Sequence, residues 1–225
     1  IFGNLFITAM AGVTGNCEQA ILESGRVLAI QGQVIPSTLH DVTLMADLRD
    51  ETRISRVSGE SHIPEVGGDI ERVYLEPDRV PAYPGAVRAL LDADLIVAGP
   101  GSLYTSVLPN LLVPDIVRAI AASRALKVYV CNVATQRGET EGYNAGDHVV
   151  ALEAHVGRGL FPAVLANDNL DVDFQTSNGV ALVRPEFPPN THYQIITADL
   201  VDPSQPWRHD SKKLARMLIR LVEEQ

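Results

Sequence analysis

The stretch Leu95-Ile-Val-Ala-Gly-Pro-Gly-Ser-Leu-Tyr104 determines the fold that the sequence predicts. Its first four residues form an unbroken apolar run, which is typical of a parallel strand covered on both faces. A glycine turn follows, and a helical pattern then runs from Ser102 to about Ser123, with breaks or kinks expected at Pro109 and Pro114. A strand that passes through a turn into a helix begins a βαβ crossover, so the sequence predicts an α/β domain.

The chain downstream continues the alternation of strand and helix. Further strands are predicted at 127–130, 163–166 and 193–197, and helices at 86–91, 147–155 and 211–224. This alternation predicts a Rossmann-like, doubly wound and mainly parallel sheet with helices on both faces. The chain has 225 residues, the size of one such domain, so we expect a single α/β domain over 1–225.

The chain upstream has a different pattern. Residues 1–28 are helical in pattern, with interruptions expected at Gly12, Gly15 and Asn16. Short strands are predicted at 27–30, 33–35, 41–46, 53–57 and 70–75. Polar and apolar residues alternate at 53–57, as they do in a half-exposed antiparallel strand. We therefore expect a small antiparallel insertion, either on the main sheet or as a separate side sheet.

Charge and cysteine content restrict the partners and the compartment. The formal net charge of −10 at pH 7 repels nucleic acid and anionic membranes, so we expect neither as a partner. Cys17 and Cys131 lie outside any CxxC or Cys/His cluster, which predicts reduced thiols, no metal site and a cytoplasmic protein. The chain opens at Ile1 inside an apolar, helix-like stretch, and we therefore expect upstream residues to be missing.

Three polar segments follow predicted strands, where parallel strands end at one edge of the sheet. In the first, Gly99 and Gly101 let backbone approach a ligand, Ser102 can cap the helix, and the free N–H groups of its first turn offer an anion site. The alternative is a tight turn with an ordinary N-cap. The hydroxyl groups that would add donors there are those of Tyr104, Thr105 and Ser106.

The second segment is a loop after the predicted strand at 127–130. Its amide, hydroxyl and carboxylate side chains are those of Asn132, Thr135, Gln136, Glu139 and Thr140. Such a set suits recognition of a base or a sugar, whose donors and acceptors need matched partners. A polar loop that satisfies its own backbone is an equal alternative. Asp147 is expected to cap the next helix, and His148 is either a base or part of the helix surface.

The third segment, 166–169, is equally consistent with a plain turn. Near the C-terminus, Arg208 precedes the last predicted helix, which Asp210 or Ser211 would cap. A guanidinium beside a loop-end site pairs bidentately with phosphate, and a surface ion pair is the alternative. The sequence holds no nucleophile elbow, HExxH helix, Walker loop or CxxC pair, which disfavours the enzyme classes that depend on those motifs.

With these segments identified, the chain resembles the gluconeogenesis factor family, the YvcK and CofD-like proteins. The matching stretches are Gly3-Asn4-Leu5, 57–65, 93–113, 130–140, 147–149 and 208–210. The resemblance implies a Rossmann-like fold and a regulatory protein of carbon metabolism and bacterial cell shape. It also implies a nucleotide-sugar ligand, a UDP-sugar, bound by the residues named above together with Gly3 and Asn4.

The resemblance also implies a second function. The distant relatives are transferases that move a 2-phospho-lactyl group onto a deazaflavin, and a transferase would use Mg²⁺, which a carboxylate such as Asp147 would position. The family's glycine-rich GGGTG loop and its DDGG-type segment are absent from these residues, so we expect an N-terminally incomplete domain. The apolar run at 111–113 suggests a homodimer as a further possibility.

Overall fold

The structure is a computed structural model that describes residues 2–50, 53–174 and 179–224, with only the backbone described at Phe2, Asn4 and Cys17. Two helices come first, α1 (Phe2–Thr14) and α2 (Cys17–Val27). Asn16 separates them and caps α2, because its side chain accepts a backbone N–H three residues further on at 2.7 Å. The predicted helical start is therefore confirmed with its interruption at 15–16, whereas the interruption predicted at Gly12 is wrong, because Gly12 lies inside α1.

The strands predicted at 27–30 and 33–35 are wrong. Val27 ends α2, and the chain after it is irregular up to residue 42. Ala29 and Gly32 have φ values of 48° and 97°, which are incompatible with an extended strand. The apolar side chains of this segment are largely exposed, as at Val34. A run with a strand-like pattern needs a neighbouring strand, and none pairs with this one among the described residues.

The middle of the chain forms a separate three-stranded antiparallel sheet. It contains β1 (Thr43–Arg49), β2 (Ile54–Ser58) and β3 (Asp69–Glu76), in the order β2-β1-β3, and a short helix, α3 (Ile63–Val66), connects β2 to β3. The central strand β1 turns Leu44 and two further alternating apolar residues into the core. The small antiparallel insertion is confirmed, and it is a side sheet.

The main sheet consists of four parallel strands in sequential order. The helix α4 (Pro84–Leu91) precedes β4 (Leu95–Ala98), which pairs with β5 (Leu126–Val130). The strands β6 (Ala163–Asn167) and β7 (Gln194–Ala198) complete the sheet. Each strand predicted for this half of the chain is confirmed within one or two residues.

The helical stretch after β4 has one of the two breaks that were expected. It begins as a π-helical turn (Leu103–Val107) that continues into α5 (Leu108–Leu111), and α6 (Pro114–Ala122) follows after a bend of 74°. Pro109 does not break the helix, because it lies in the first turn of α5, where a missing N–H costs nothing. The break before Pro114 is confirmed.

The apolar run at 111–113 is mostly part of the core. Leu111 and Val113 are 6% and 1% exposed, and Leu112 is half-buried against the core, so little of this run is open to a second copy of the chain. Light scattering of the purified protein tests for a dimer directly. Among the described residues, no single helix is long and apolar enough to cross a membrane, and the bent pair that approaches this length consists largely of core side chains.

The remaining elements are divided between the two faces of the main sheet. They are α7 (Ala145–Val156), the hairpin β8 (Val201–Asp202) and β9 (Gln205–His209), and α8 (Ser211–Glu223). Alternate strand residues lie in two separate cores: Tyr129 packs with the helices that follow β4 and with α7, whereas Val130 packs with α8. A parallel sheet covered on both faces confirms the Rossmann-like, doubly wound fold.

Candidate functional site

An open cleft of ≈ 1080 Å³ lies beyond the carboxyl ends of β4 and β5. The loops after these two strands form its floor, the chain after β6 forms one wall, and the hairpin strand β9 forms the other. Ligands of open parallel sheets bind at this edge, and pockets of this size take small organic molecules. The sequence-predicted site residues that line the cleft are Gly101, Asn132, Thr135, Gln136, Glu139 and Arg208.

The floor of the cleft is a rigid junction between the glycine turn and the polar loop. The Asn132 amide holds Gly101 on both sides: Oδ1 accepts the Gly101 N–H at 3.2 Å, and Nδ2 donates to the Gly101 carbonyl at 2.9 Å. Gln136 Nε2 donates to Ser102 Oγ at 2.7 Å, and Gln136 Oε1 accepts from Asn132 at 3.2 Å. Two loops that were predicted as neighbours are therefore in contact, and their amides orient the turn.

The helix start after the glycine turn differs from the anion site that was expected. Ser102 makes no capping hydrogen bond to the helix. The Tyr104 N–H donates to Glu139 Oε2 at 3.0 Å, and Thr105 Oγ1 donates to Glu139 Oε1 at 2.7 Å. The expectation that the first-turn N–H groups are free is therefore wrong at Tyr104, whose N–H a carboxylate accepts, and the Gly101 N–H just before the helix is accepted by the Asn132 amide.

Several other predicted residues have structural partners. Thr140 Oγ1 accepts the Gln136 N–H at 2.9 Å, and the side chain is fully buried. The buried Tyr104 hydroxyl lies 2.9 Å from the Tyr143 hydroxyl. Burial is the main cause of the raised pKa of Tyr104, and the hydrogen bond with Tyr143 raises this pKa further. Gly99 and Ser106 line a second cavity of ≈ 420 Å³.

Gly3 and Asn4 lie in α1. Gly3 is exposed, whereas the side chain of Asn4 lies outside the described residues. Gly3 is not among the residues that line the cleft. The structure therefore does not bring the first predicted pair of ligand residues to the rest of the site within the chain that it describes.

One wall of the cleft comes from a segment for which the sequence predicted only a loop. The described chain from 179 to 187 runs as a strap across the ends of β5 and α7: the Thr135 N–H donates to the Ala181 carbonyl at 2.8 Å, and the Ala145 N–H donates to the Arg184 carbonyl at 2.9 Å. Thr135 Oγ1 accepts the Ala181 N–H at 2.9 Å. Phe174 lines the cleft just before this strap. The signal in the sequence for this wall was Phe174 itself, a single aromatic residue in a polar stretch.

The opposite wall places an aromatic ring and a cation side by side. Trp207 is 53% exposed, and Arg208 is exposed next to it on β9, a strand that the sequence did not predict. Arg137, which was not among the predicted residues, lines the floor. Within the described chain, neither arginine forms an ion pair, so both charges are available to an anionic ligand. A cation inside the polar loop of an acidic protein was the signal for Arg137.

His209 also lines the cleft, and its ring faces inward from β9. Burial lowers its pKa, the Cys131 backbone opposes this effect, and Nε2 is buried without a hydrogen-bond partner in the described structure. Cys131 is a buried free thiol, as predicted, and burial raises its pKa to about 12. The predicted Cys17 thiol lies outside the described side chains.

Two further predictions concern helix starts and strand ends. Asp147 is not the N-cap of α7: Asn144 is, with its side chain accepting the Asp147 N–H at 2.9 Å while Asp147 Oδ2 accepts the Asn144 N–H at 2.9 Å. His148 is neither a surface residue nor part of the cleft, since it is fully buried. Asp210 caps α8 as expected. The segment 166–169 is the end of β6 and the first residues after it: Asn167 Nδ2 donates to the Asn169 carbonyl at 2.8 Å, and Asn167 Oδ1 accepts the Leu200 N–H at 3.0 Å.

The structure shows where Asp147 lies, the carboxylate that was expected to position Mg²⁺ in a transferase. No three His, Cys, Asp or Glu side chains converge in the part of the chain that the structure describes. The Asp147 carboxylate is engaged in the helix cap. It is therefore not free to position a metal ion in this structure.

Comparison with known proteins agrees with this fold. A family model described as 2-phospho-L-lactate transferase CofD matches residues 1–225. The gluconeogenesis factor of Bacillus subtilis is 40% identical over 243 residues, which cover 99% of this chain and 71% of that protein. A putative gluconeogenesis factor of Nostoc sp. is 46% identical over 229 residues, 97% of this chain, and the chain spans only 49% of its length.

A solved structure gives the same result. The crystal structure of a UPF0052-family protein from Bacillus halodurans superposes with a TM-score of 0.82 at 35% sequence identity, covering 97% of this chain and 72% of that one. Fold, sequence and family model thus point to one group of proteins. The chain belongs to the CofD-like family of gluconeogenesis factors.

Proposed function

We propose that the protein is a regulator that binds a nucleotide sugar, such as a UDP-sugar, and acts on carbon metabolism and cell shape. The observation that carries the proposal is the composition of the cleft. Arg137 and Arg208, which form no ion pair within the described chain, line it together with two aromatic side chains and an amide-rich floor. A nucleotide sugar needs these three kinds of contact: cations for the diphosphate, rings for the base and polar groups for the sugar.

The electrostatics of the whole chain strengthen the argument. The formal net charge of −10 opposes any anion, so a diphosphate has to be held by local cations. Guanidinium groups bind phosphate oxygens bidentately, which provides both affinity and orientation. The position expected from the sequence, at the start of the helix after the glycine turn, is partly filled by Glu139. We therefore place the diphosphate nearer to Arg137 and Arg208.

Two features support a regulator that works in the cytoplasm. The relatives that cover most of the chain are named for gluconeogenesis and not for a catalytic step. The buried free thiol of Cys131 suits a reducing compartment.

Calorimetric titration of the full-length protein with UDP-glucose tests the proposal. We expect a binding heat at micromolar to millimolar ligand, and Arg208→Ala should weaken binding by about tenfold and reduce its salt dependence, because one charge-assisted contact is lost. Arg216→Ala is the matched control, since Arg216 is an exposed cation on α8 away from the cleft. No heat at millimolar UDP-sugar would refute the proposal.

The alternative function is a 2-phospho-L-lactate transferase of deazaflavin coenzyme biosynthesis, which the description of the matching family model favours. Incubation of the full-length protein with Mg²⁺, a lactyl-diphosphoguanosine donor and the deazaflavin acceptor distinguishes the two. Product formation would establish the transferase. Absence of product while UDP-glucose still binds would leave the regulator.

A further inference from the structure

Glu139 is a carboxylate that is held at the floor of the cleft in a fixed position. It is 8% exposed and lines the cleft beside the glycine turn. One oxygen accepts the Tyr104 N–H and the other accepts the Thr105 hydroxyl. In the described chain no lysine, arginine or histidine forms an ion pair with it. The side chain is therefore a charge whose orientation is set by two neutral donors.

A carboxylate with this arrangement discriminates between ligand groups. Its two oxygens offer about four lone-pair positions, and Tyr104 and Thr105 use one on each oxygen. The remaining positions accept hydrogen bonds from hydroxyl groups in the cleft. A phosphate oxygen carries no proton to donate, and its charge is repelled at short range in a partly desolvated site.

The ligand of the proposed function can present either kind of group. The outer phosphate of a nucleoside diphosphate is a monoester with a second ionisation near pH 6, so it carries nearly two negative charges at pH 7. In a nucleotide sugar the same phosphate is esterified, carries one charge, and is attached to a neutral ring bearing hydroxyls. Arg137 and Arg208 serve the diphosphate in both cases, and Glu139 distinguishes a charged phosphate end from a neutral sugar ring.

We infer that Glu139 is a specificity-determining residue that makes the cleft prefer a nucleotide carrying a neutral, hydroxyl-bearing substituent over the nucleoside diphosphate itself. The inference rests on the proposed function, because it concerns the end of the ligand beyond the diphosphate. It gives a reason for a buried carboxylate in a cleft that also contains Arg137 and Arg208. A regulator with this preference responds to the sugar conjugate and ignores the diphosphate released from it.

The test is calorimetry of the full-length protein with UDP and with UDP-glucose at pH 7.5. The wild type should bind UDP-glucose at least tenfold more tightly than UDP. Glu139→Gln keeps an acceptor and removes the charge, so UDP affinity should rise several-fold and UDP-glucose affinity should fall, which collapses the ratio. An unchanged ratio in Glu139→Gln would overturn the inference.

The matched control is Thr105→Val, which removes one donor that orients Glu139 and leaves the charge in place. If Glu139 serves only to hold the turn, both variants should change the two affinities by the same factor. If Glu139 instead determines specificity, only Glu139→Gln should raise the affinity for UDP.

A measurement on the wild type covers the case in which the variants do not fold. The methyl ester of UDP at its outer phosphate has one charge fewer than UDP and no sugar hydroxyls. It should bind more tightly than UDP and more weakly than UDP-glucose. Equal binding of the ester and UDP would contradict the inference, whereas failure of the wild type to bind any of the three ligands would overturn the proposed function instead.

Discussion

Gly138 is the residue at which the cleft floor touches the side-sheet region. A Cβ added there would lie 2.1 Å from the Pro64 carbonyl oxygen, and the backbone has a φ of +75°. Both the left-handed conformation and the close approach require glycine. Since Pro64 also lines the cleft, this contact fixes the polar loop against α3.

The first prediction follows from that contact. Gly138→Ala should destabilise the protein by more than about 2 kcal/mol, because strain at positive φ is added to a clash with rigid backbone. Gly142→Ala is the control: its φ is +77°, yet nothing lies within 4 Å of the added Cβ, so only the conformational cost of about 1 kcal/mol remains. Chemical denaturation of both variants measures the difference. Equal losses would show that the Pro64 contact is relaxed without cost.

Among the elements, α7 shows how two side chains close in the sequence determine where a helix begins. Asn144 and Asp147 exchange hydrogen bonds in a reciprocal capping box. Asn144→Ala should cost about 1 kcal/mol of stability, since the Asp147 N–H loses the side-chain oxygen that accepts it. Asn144→Asp is the control, because an aspartate accepts the same N–H and should retain most of the stability. Equal destabilisation by both substitutions would mean that the cap is not the cause.

The elements also show which parts of the fold the sequence could predict. The parallel strands β4 and β6 were predictable because a strand covered on both faces of the sheet has an unbroken apolar run, here Leu95–Ala98 and Ala163 to Ala166. The segment 27–35 has apolar residues as well, but it has no partner strand among the described residues. A local residue pattern does not show whether a partner strand is present. The strand β9 was missed for the opposite reason: its residues are polar and aromatic, and the hairpin creates the strand.

The candidate site was also predictable only in part. The glycine turn and the loop after β5 follow strands directly, so topology alone brings them together. Phe174 and Trp207 reach the cleft from distant segments through the strap and the hairpin, and no local pattern predicts such a contact. The role of Glu139 at the helix start was equally inaccessible, because a loop carboxylate and a helix N-terminus 35 residues apart have no common motif.

For the whole molecule, the buried histidines predict the pH dependence of stability. Burial lowers the pKa of His148 and of His155, and backbone acceptors at Asn144 and Ala151 only partly oppose it. His155 Nε2 accepts the Val73 N–H at 2.9 Å, so the native ring is neutral. The unfolded chain, with an ordinary histidine pKa of about 6.5, binds more protons than the native one below that pH.

Stability should therefore be fully present above about pH 6.5 and should fall as the pH decreases below it, by at most about 1.4 kcal/mol per pH unit for each histidine. Urea denaturation at pH 8, 7, 6 and 5.5 measures the slope. His155→Gln keeps an acceptor for the Val73 N–H and removes the titrating ring, so its slope should be smaller. A profile that is flat from pH 8 to 5.5 would contradict the assignment.

The cleft is assembled from segments that are far apart along the chain, and this has a consequence for folding kinetics. The contacts of Gly101 with Asn132, Tyr104 with Glu139 and Thr135 with Ala181 span 31, 35 and 46 residues. Such loop-closing contacts are completed late, and a ligand that recognises only the finished cleft stabilises the native state and not the barrier before it. Saturating UDP-glucose should therefore slow unfolding in stopped-flow experiments and leave the refolding rate unchanged. The nucleotide sugar would then lengthen the lifetime of the native state without helping the chain to reach it.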